Sequence, residues 1–323
     1  MKKIACLFLV CFVLFSCKDN DSIAELSVGE TNQITVIIED SLWNGEVGDS
    51  IRKKLTTSVD GLPQEEPLFS LRQHTDRSGD DHFCKNRNII IVEKSIEEFF
   101  EVRNDDFALH QSVIYIAGRN IPELLNLIEQ QSDSIIKVIT DFEITETQKK
   151  ISLSPLDTRP IEDKFEISID IPSDFEYIIT EEKFIWLKKE TLNGNSNILI
   201  YQIPYREPEN QVENIREIIT VRDSIGQKHI HSQEDNAQAY MITEEAYAPY
   251  FETTKLAQRT AFQTKGTWEI KGVFMSGPFL NYTIPDKQNN RILVLEGFAY
   301  APSSSKRNMM HKLEAIIKSI SLE

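Results

Sequence analysis

His229-Ile230-His231 would set two imidazoles on one face of any strand, and His74, His82 and Cys84 fall within one polar stretch. A zinc site needs three or four such ligands held tetrahedrally, and neither group has a second pair at ligand spacing. Loop histidines account for both, so no metal and no cofactor is expected. Ser50-Ile51-Arg52-Lys53 and Ser303-Ser304-Ser305-Lys306 match S-x-x-K, the serine and lysine of penicillin-recognising enzymes, but neither S-D-N nor K-T-G accompanies them. Residues 303–305 read better as a helix cap. Adjacent acids occur at Glu65-Glu66, Asp80-Asp81, Asp105-Asp106, Glu181-Glu182 and Glu244-Glu245, and a general acid and base could sit among them. A chain with 51 acidic residues makes such pairs by chance. Glu65 and Glu244 are the first carboxylates to test. There is no G-x-S-x-G, H-E-x-x-H, G-x-x-x-x-G-K or G-x-G-x-x-G, and no catalytic residue is assigned.

The remaining reactive group decides where the chain resides. Lys2 and Lys3 precede twelve uninterrupted apolar residues, 4–15, followed by Ser16 and Cys17. These are the charged, apolar and cleavage regions of a secretory signal. Twelve residues make about 18 Å of helix, against the roughly 30 Å of a bilayer core. Leu14-Phe15-Ser16-Cys17 resembles the lipobox of bacterial lipoproteins, and that resemblance implies acylation of the Cys17 thiol and cleavage just before it. More than one acyl chain on Cys17 would make the anchoring stable.

Cleavage removes Lys2 and Lys3 and takes the formal charge from −16 to −18. A nucleic-acid partner would need a basic stripe, so none is expected. The longest basic run, Arg52-Lys53-Lys54, sits where cations complement the end of a helix dipole. Cys6 and Cys11 leave with the signal and Cys17 is acylated, which leaves Cys84 alone and no intramolecular disulfide. Cys84 is either a small buried hydrophobe or a reactive or intermolecular thiol.

Stepping along the chain gives the elements that would position these groups. Residues 18–33 are polar and aperiodic, a flexible tether. Lys18-Asp19-Asn20-Asp21 resembles the acidic export tract of Bacteroidetes surface lipoproteins, or is a solvated spacer. Residues 34–39, 69–71, 88–92 and 113–117 read as strands. Trp43, Val47, Ile51 and Leu55 recur every fourth residue, one face of a helix. Asn120 with Glu123 forms a capping box for a second helix carrying Leu124, Leu127, Ile128, Ile135 and Ile139.

Pro155 and Pro160 mark the best boundary. Beyond it, strands are expected at 165–171, 175–180, 184–188 and 197–203, with Asn193-Gly194 as a hairpin signal. A helix at 212–225 would be capped by Gly226. A meander follows at 267–275, 279–284 and 291–300 with a turn at Gly277-Pro278, then a last amphipathic helix through Met310, Leu313, Ile316 and Ile317.

The expected fold is α+β, with antiparallel sheets and helices packed on one face, in two domains. The boundaries are 1–16 for the signal, 17–33 for the tether, 34–153 for an N-terminal and 161–323 for a C-terminal α+β domain. The element order loosely resembles the PsbP and Mog1-like fold, which implies nothing about function.

Five stretches together resemble a family of Bacteroidetes lipoproteins catalogued only as a domain of unknown function. They are Leu42-Trp43-Asn44-Gly45-Glu46-Val47-Gly48-Asp49, Val59-Asp60-Gly61-Leu62-Pro63-Gln64-Glu65-Glu66-Pro67, Met241-Ile242-Thr243-Glu244-Glu245-Ala246-Tyr247-Ala248-Pro249-Tyr250, Thr264-Lys265-Gly266-Thr267-Trp268-Glu269 and Leu295-Glu296-Gly297-Phe298. The likeness spans the mature chain. It implies an envelope lipoprotein of a Gram-negative cell, at the outer membrane, and supplies no catalytic residues. Asp-Ser-Ile or Asp-Ser-Leu, found at Asp21, Asp40, Asp49, Asp133 and Asp223, resembles the O-glycosylation acceptor of such proteins, with Ser22 the position to check.

The expected role is a non-catalytic binding or interaction module, attached to the membrane through lipid on Cys17 and offering a surface to an envelope protein or a small ligand. The alternative is a hydrolase of an envelope glycan or peptide. A pocket gathering Glu65, Glu244, a histidine or Ser50 would favour the hydrolase. An exposed aromatic patch near Tyr247 and Tyr250 would favour a partner.

Overall fold

The structure, a computed structural model, describes residues 25–75, 81–207, 210–232 and 239–322. Cys17, Ser22 and the signal and export-tract readings lie outside the described residues, as does the side chain of His82.

In chain order the N-terminal half comprises β1 (Gln33–Ile38), α1 (Asp40–Trp43), α2 (Glu46–Leu55), β2 (Ser70–His74), α3 (Asp81–Cys84), β3 (Asn88–Lys94), β4 (Phe99–Asn104), β5 (Ser112–Gly118) and α4 (Ile121–Ser152). Its sheet runs β2-β1-β3-β5-β4. β1 is parallel to β2 and β3, and β3 is parallel to β5; β4 pairs antiparallel with β5. The parallel pairing differs from the antiparallel expectation, and the reason is visible in the strands. β1 is buried throughout and β3 and β5 nearly so, which calls for the continuous apolar runs of a doubly covered sheet instead of alternation. α2 and α4 cover one face through Val47, Ile51, Leu124, Ile128 and Ile135. The other carries a smaller cluster of Ile37, Ile89, Ile91 and Val113, against which half-buried Cys84 packs. That contact agrees with the hydrophobe reading of Cys84.

Part of the expected tether is docked. The Ser27 and Val28 amides donate to the Leu109 and Lys85 carbonyls, and Asn32 and Gln33 are buried. Their backbone groups find partners on the loops after α3 and β4, which polarity alone does not reveal.

The C-terminal half comprises α5 (Arg159–Phe165), β6 (Ile167–Ser168), β7 (Glu176–Thr180), β8 (Phe184–Thr191), β9 (Gly194–Pro204), α6 (Gln211–His229), β10 (Met241–Thr243), β11 (Tyr250–Leu256), β12 (Arg259–Ile270), β13 (Val273–Asp286), β14 (Arg291–Tyr300), α7 (Arg307–Lys318) and β15 (Ser321–Leu322). The antiparallel expectation holds here, in an eight-stranded sheet ordered β10-β12-β13-β14-β9-β8-β7 with β11 beside β12. Helices lie on both of its faces, not one. α5 and α7 bury Ile161, Phe165, Leu313 and Ile316 on the first, and α6 and β10 meet Trp268, Phe279 and Val294 on the second. The central strands β9 and β14 and the start of β8 are buried on both sides of the pleat, so each face needs a cover.

Gly226 lies inside α6 rather than capping it. A Cβ there would come within 2.1 Å of the Met241 carbonyl oxygen, so glycine lets β10 lie directly on the helix. Gly277-Pro278 is interior to β13, and the turn falls instead at Lys271-Gly272, where Gly272 has φ +77°. The expected strand at 165–171 shrinks to β6: Phe165 ends α5, Glu166 closes that helix in a left-handed conformation, and only Ile167 and Ser168 pair, with β15.

The two halves are joined by α4, whose 32 residues make about 48 Å of helix. The capping box forms as expected: the Glu123 amide donates to Asn120 Oδ1 at 3.0 Å and Asn120 Nδ2 to Glu123 Oε1 at 3.1 Å. Further along α4, Thr147 Oγ1 lies 3.3 Å from His311 Nε2, and Gln148 Nε2 donates to the Ala315 carbonyl at 3.0 Å.

Candidate functional site

α7 begins without a cap of its own. Lys306 occupies the N-cap position with no side-chain capping hydrogen bond, and residues 303–305 do not serve as expected. The cap arrives from the other half: Glu66 accepts from the Lys306 amide at 2.7 Å, from the Arg307 amide at 3.0 Å and from the Ser305 hydroxyl. Arg307 in turn donates to the Pro67 carbonyl at 2.8 Å and to Ser70 Oγ at 3.2 Å. Burial would raise the pKa of Glu66, but these donors and the charge of Lys306 hold it below the usual carboxylate value. Glu66→Ala is expected to cost about 2 kcal/mol, because a helix cap and a charge-assisted hydrogen bond are lost together. Urea unfolding would read this; a loss below about 0.5 kcal/mol would show the cap to be dispensable.

The loop that carries Glu66 also seals a cavity between the halves. Gly61, at φ +79°, approaches β12 so closely that a Cβ would sit 2.9 Å from the Gly266 nitrogen and 3.0 Å from Lys265 Cβ. Two of the stretches that carried the family resemblance, 59–67 and 264–269, therefore meet here. Behind the contact lies a cavity of about 140 Å³ lined by Val59, Leu62 and Leu68 from this loop, Leu280 of β13 and Met310 of α7. Lys265, Arg307, His311, Glu314 and Asp60 complete the wall. The volume is close to that of an engineered apolar cavity that takes up benzene.

The charged wall is tied into networks. Glu314 accepts from the Tyr282 hydroxyl at 3.0 Å and pairs with Lys318 at 2.8 Å. Burial pushes its pKa up, yet Lys265, Lys318 and Tyr282 outweigh that and hold it down at about 2. Burial keeps His311 below the usual histidine value, so it is neutral at pH 7. Behind His311, Arg87 pairs with buried Glu143 at 3.5 Å, and Asn88 Nδ2 donates to the same carboxylate at 2.5 Å.

Both wall groups make the junction acid-labile. Their folded pKa values are depressed, so the stability they supply is present above the unfolded values and is lost as pH falls. His311 gives way first, from about pH 6.5 downward, and Glu314 between the ordinary carboxylate value of 4.5 and about 2. For Glu314, 17% exposed, the contribution at pH 7 is on the order of 3 kcal/mol. Glu143, whose pKa burial raises, acts in the opposite sense. Glu314→Gln is expected to flatten the stability–pH curve between about pH 4.5 and 2.5. An unchanged acid limb would refute the assignment.

The groups singled out by spacing do not converge on this cavity. Glu65 is exposed, and Glu244 Oε1 accepts from the Ala246 amide at 2.6 Å. His229 ends α6 and stacks on Phe184 with ring centroids 3.8 Å apart, while His231 pairs through its backbone with Tyr240. His74 stacks on Phe83 at 3.5 Å. Among the described residues no group of three or more metal-ligating side chains is found. Lys306 Nζ donates to the Ser304 carbonyl at 3.2 Å, and Lys53 is exposed on α2. Tyr247, between β10 and β11, and Tyr250, the first residue of β11, are 74% and 54% exposed. Sequence reasoning missed Glu66, Lys265, His311 and Glu314. The last two stand three residues apart on a helix, a spacing that places them side by side and could have drawn notice.

The model of a domain of unknown function, DUF4837, matches residues 154–319, and that of a second, DUF8532, matches residues 27–152. No curated protein matches the chain. Among solved structures, the crystal structure of LpqN, involved in cell envelope biogenesis of Mycobacterium tuberculosis, is similar over 48% of this chain and 82% of that one. The identity is 12% and the TM-score 0.29.

Proposed function

The chain belongs to the DUF4837 family of domains of unknown function, so its role has to be read from its own geometry, and we propose that it is a lipid-tethered envelope protein that binds a small ligand without transforming it. The observation that carries this reading is the cavity at the junction, walled by Leu62 and Leu68 on one side and Leu280 and Met310 on the other. Its size suits one ring or a short branched chain. Its polar wall groups are engaged by protein partners: Glu314 pairs with Lys318 and accepts from Tyr282, and His311 Nε2 lies 3.3 Å from Thr147 Oγ1. Because both halves line it, an occupant would tighten their contact, and stability would rise with ligand concentration.

The tether supports the same reading. Acylated Cys17 would hold the chain at the outer membrane by lipid, and among the described residues no helix is long and apolar enough to cross a bilayer. The polar end of a ligand, whether a free small molecule or a group on an envelope protein, would find Asp60 and Lys265 in the cavity wall.

Benzene is a suitable probe of the cavity. The expected result is saturable binding by the full chain, detected as shifts of Leu and Met methyl resonances and a raised melting temperature. Leu62→Phe, which fills the space with a side chain from the loop, should abolish the binding while the protein stays folded. Absence of binding, or equal binding by Leu62→Phe, would overturn the proposal.

A further inference from the structure

The chain is strongly acidic, yet one cleft on it is cationic. It lies between β8, β9 and the start of α7, has a volume of about 340 Å³, and is lined by two lysines, Lys189 and Lys312. Among the described residues that line it none is acidic, and the polar remainder includes Thr191, Asn193, Ser196 and Asn308. The two lysines share one carboxylate: Asp174, 48% exposed, pairs with Lys189 and lies 3.7 Å from Lys312. Lys189 is 23% exposed and Lys312 36%, so solvent screens their repulsion only in part. In agreement, burial and then the charge of Lys189 lower the pKa of Lys312. Two cations sharing one anion leave one formal positive charge that an arriving anion would balance.

The helix terminus nearby does not supply the explanation. Glu66 takes the Lys306 and Arg307 amides at the start of α7, and the two formal positive charges of the cleft are the lysine side chains. Lysine ammonium groups bind phosphoryl oxygens as point charges, and amide and hydroxyl side chains suit the hydroxyls of a sugar. The cleft volume lies in the range of small-molecule sites.

We infer that this cleft binds a small phosphorylated sugar, with the phosphoryl group between Lys189 and Lys312 and the sugar hydroxyls on the Ser, Thr and Asn side chains around them. The site is separate from the junction cavity and stands whether or not that cavity is occupied.

Titration calorimetry of the full chain with glucose 6-phosphate, inorganic phosphate and glucose tests it. Glucose 6-phosphate should bind, and Lys189→Met or Lys312→Met should each weaken it about tenfold or more. Asp174→Asn should tighten binding, because it removes the competing carboxylate; a purely structural role for Asp174 would give the opposite sign. Inorganic phosphate binding as tightly as glucose 6-phosphate would assign the site to the free anion class, still between the two lysines. No heat from either phosphate at about 10 mM would overturn the inference. So would affinities that both lysine variants leave unchanged, or weaker binding in Asp174→Asn with the fold intact by circular dichroism.

Discussion

Arg222→Met is expected to lower the stability of the protein by about 3–5 kcal/mol, the usual cost of stranding one member of a buried ion pair. Arg222 is 1% exposed on α6, and its Nε lies 3.0 Å from Oε1 of Glu296 on β14, which is fully buried. The carboxylate also accepts from Asn281 Nδ2 at 2.9 Å, and the guanidinium donates to Thr243 Oγ1 at 2.9 Å while standing 3.8 Å from the Phe279 ring centre. Burial raises the pKa of Glu296, and Arg222 and Asn281 are what oppose it. Without Arg222 the carboxyl should take a proton more readily, so the deficit should shrink as pH falls toward 5. Replacing both partners, Arg222→Met with Glu296→Leu, should recover much of the loss, because neither charge then has to be desolvated. Urea unfolding at pH 7 and 5 reads all three outcomes. A loss under about 1 kcal/mol for the single variant would mean that Glu296 is satisfied without Arg222.

Cys17→Ser is expected to move the protein from the membrane to the soluble fraction almost entirely. On the proposed acylation of Cys17, each buried methylene would contribute about 0.8 kcal/mol to membrane binding, so removing the acceptor thiol would remove the whole attachment. The apolar run at 4–15 cannot replace it, being about 18 Å long as a helix against a core of roughly 30 Å. Detergent phase partition and intact mass would show the change together: loss of the acyl mass and loss of sedimentation with membranes. A variant that stays membrane-bound with unaltered mass would remove the basis for placing the protein at the outer membrane.

The stretches 59–67 and 264–269, which fall within two different domains of unknown function, gained a common meaning only when the fold brought Gly61 against Gly266. Neither stretch announces the other. Histidine and S-x-x-K spacings led nowhere, because His229 is spent on packing against Phe184 and Lys306 on the Ser304 carbonyl.

What the chain determines locally, it determines well. The Asn120–Glu123 capping box, the fourfold spacing of Val47, Ile51 and Leu55, and the apolar face of α7 each need only neighbours within one or two helical turns. The α+β class follows from such local periods. The tertiary structure decided the rest: the parallel order of the first sheet, the helix on each face of the second, the Arg222–Glu296 pair and the cap that Glu66 gives to α7 from 240 residues away. Those depend on which surfaces meet when loops close. A short window of sequence records how a segment pairs with itself, and holds no record of the distant carboxylate that will meet its unsatisfied amides.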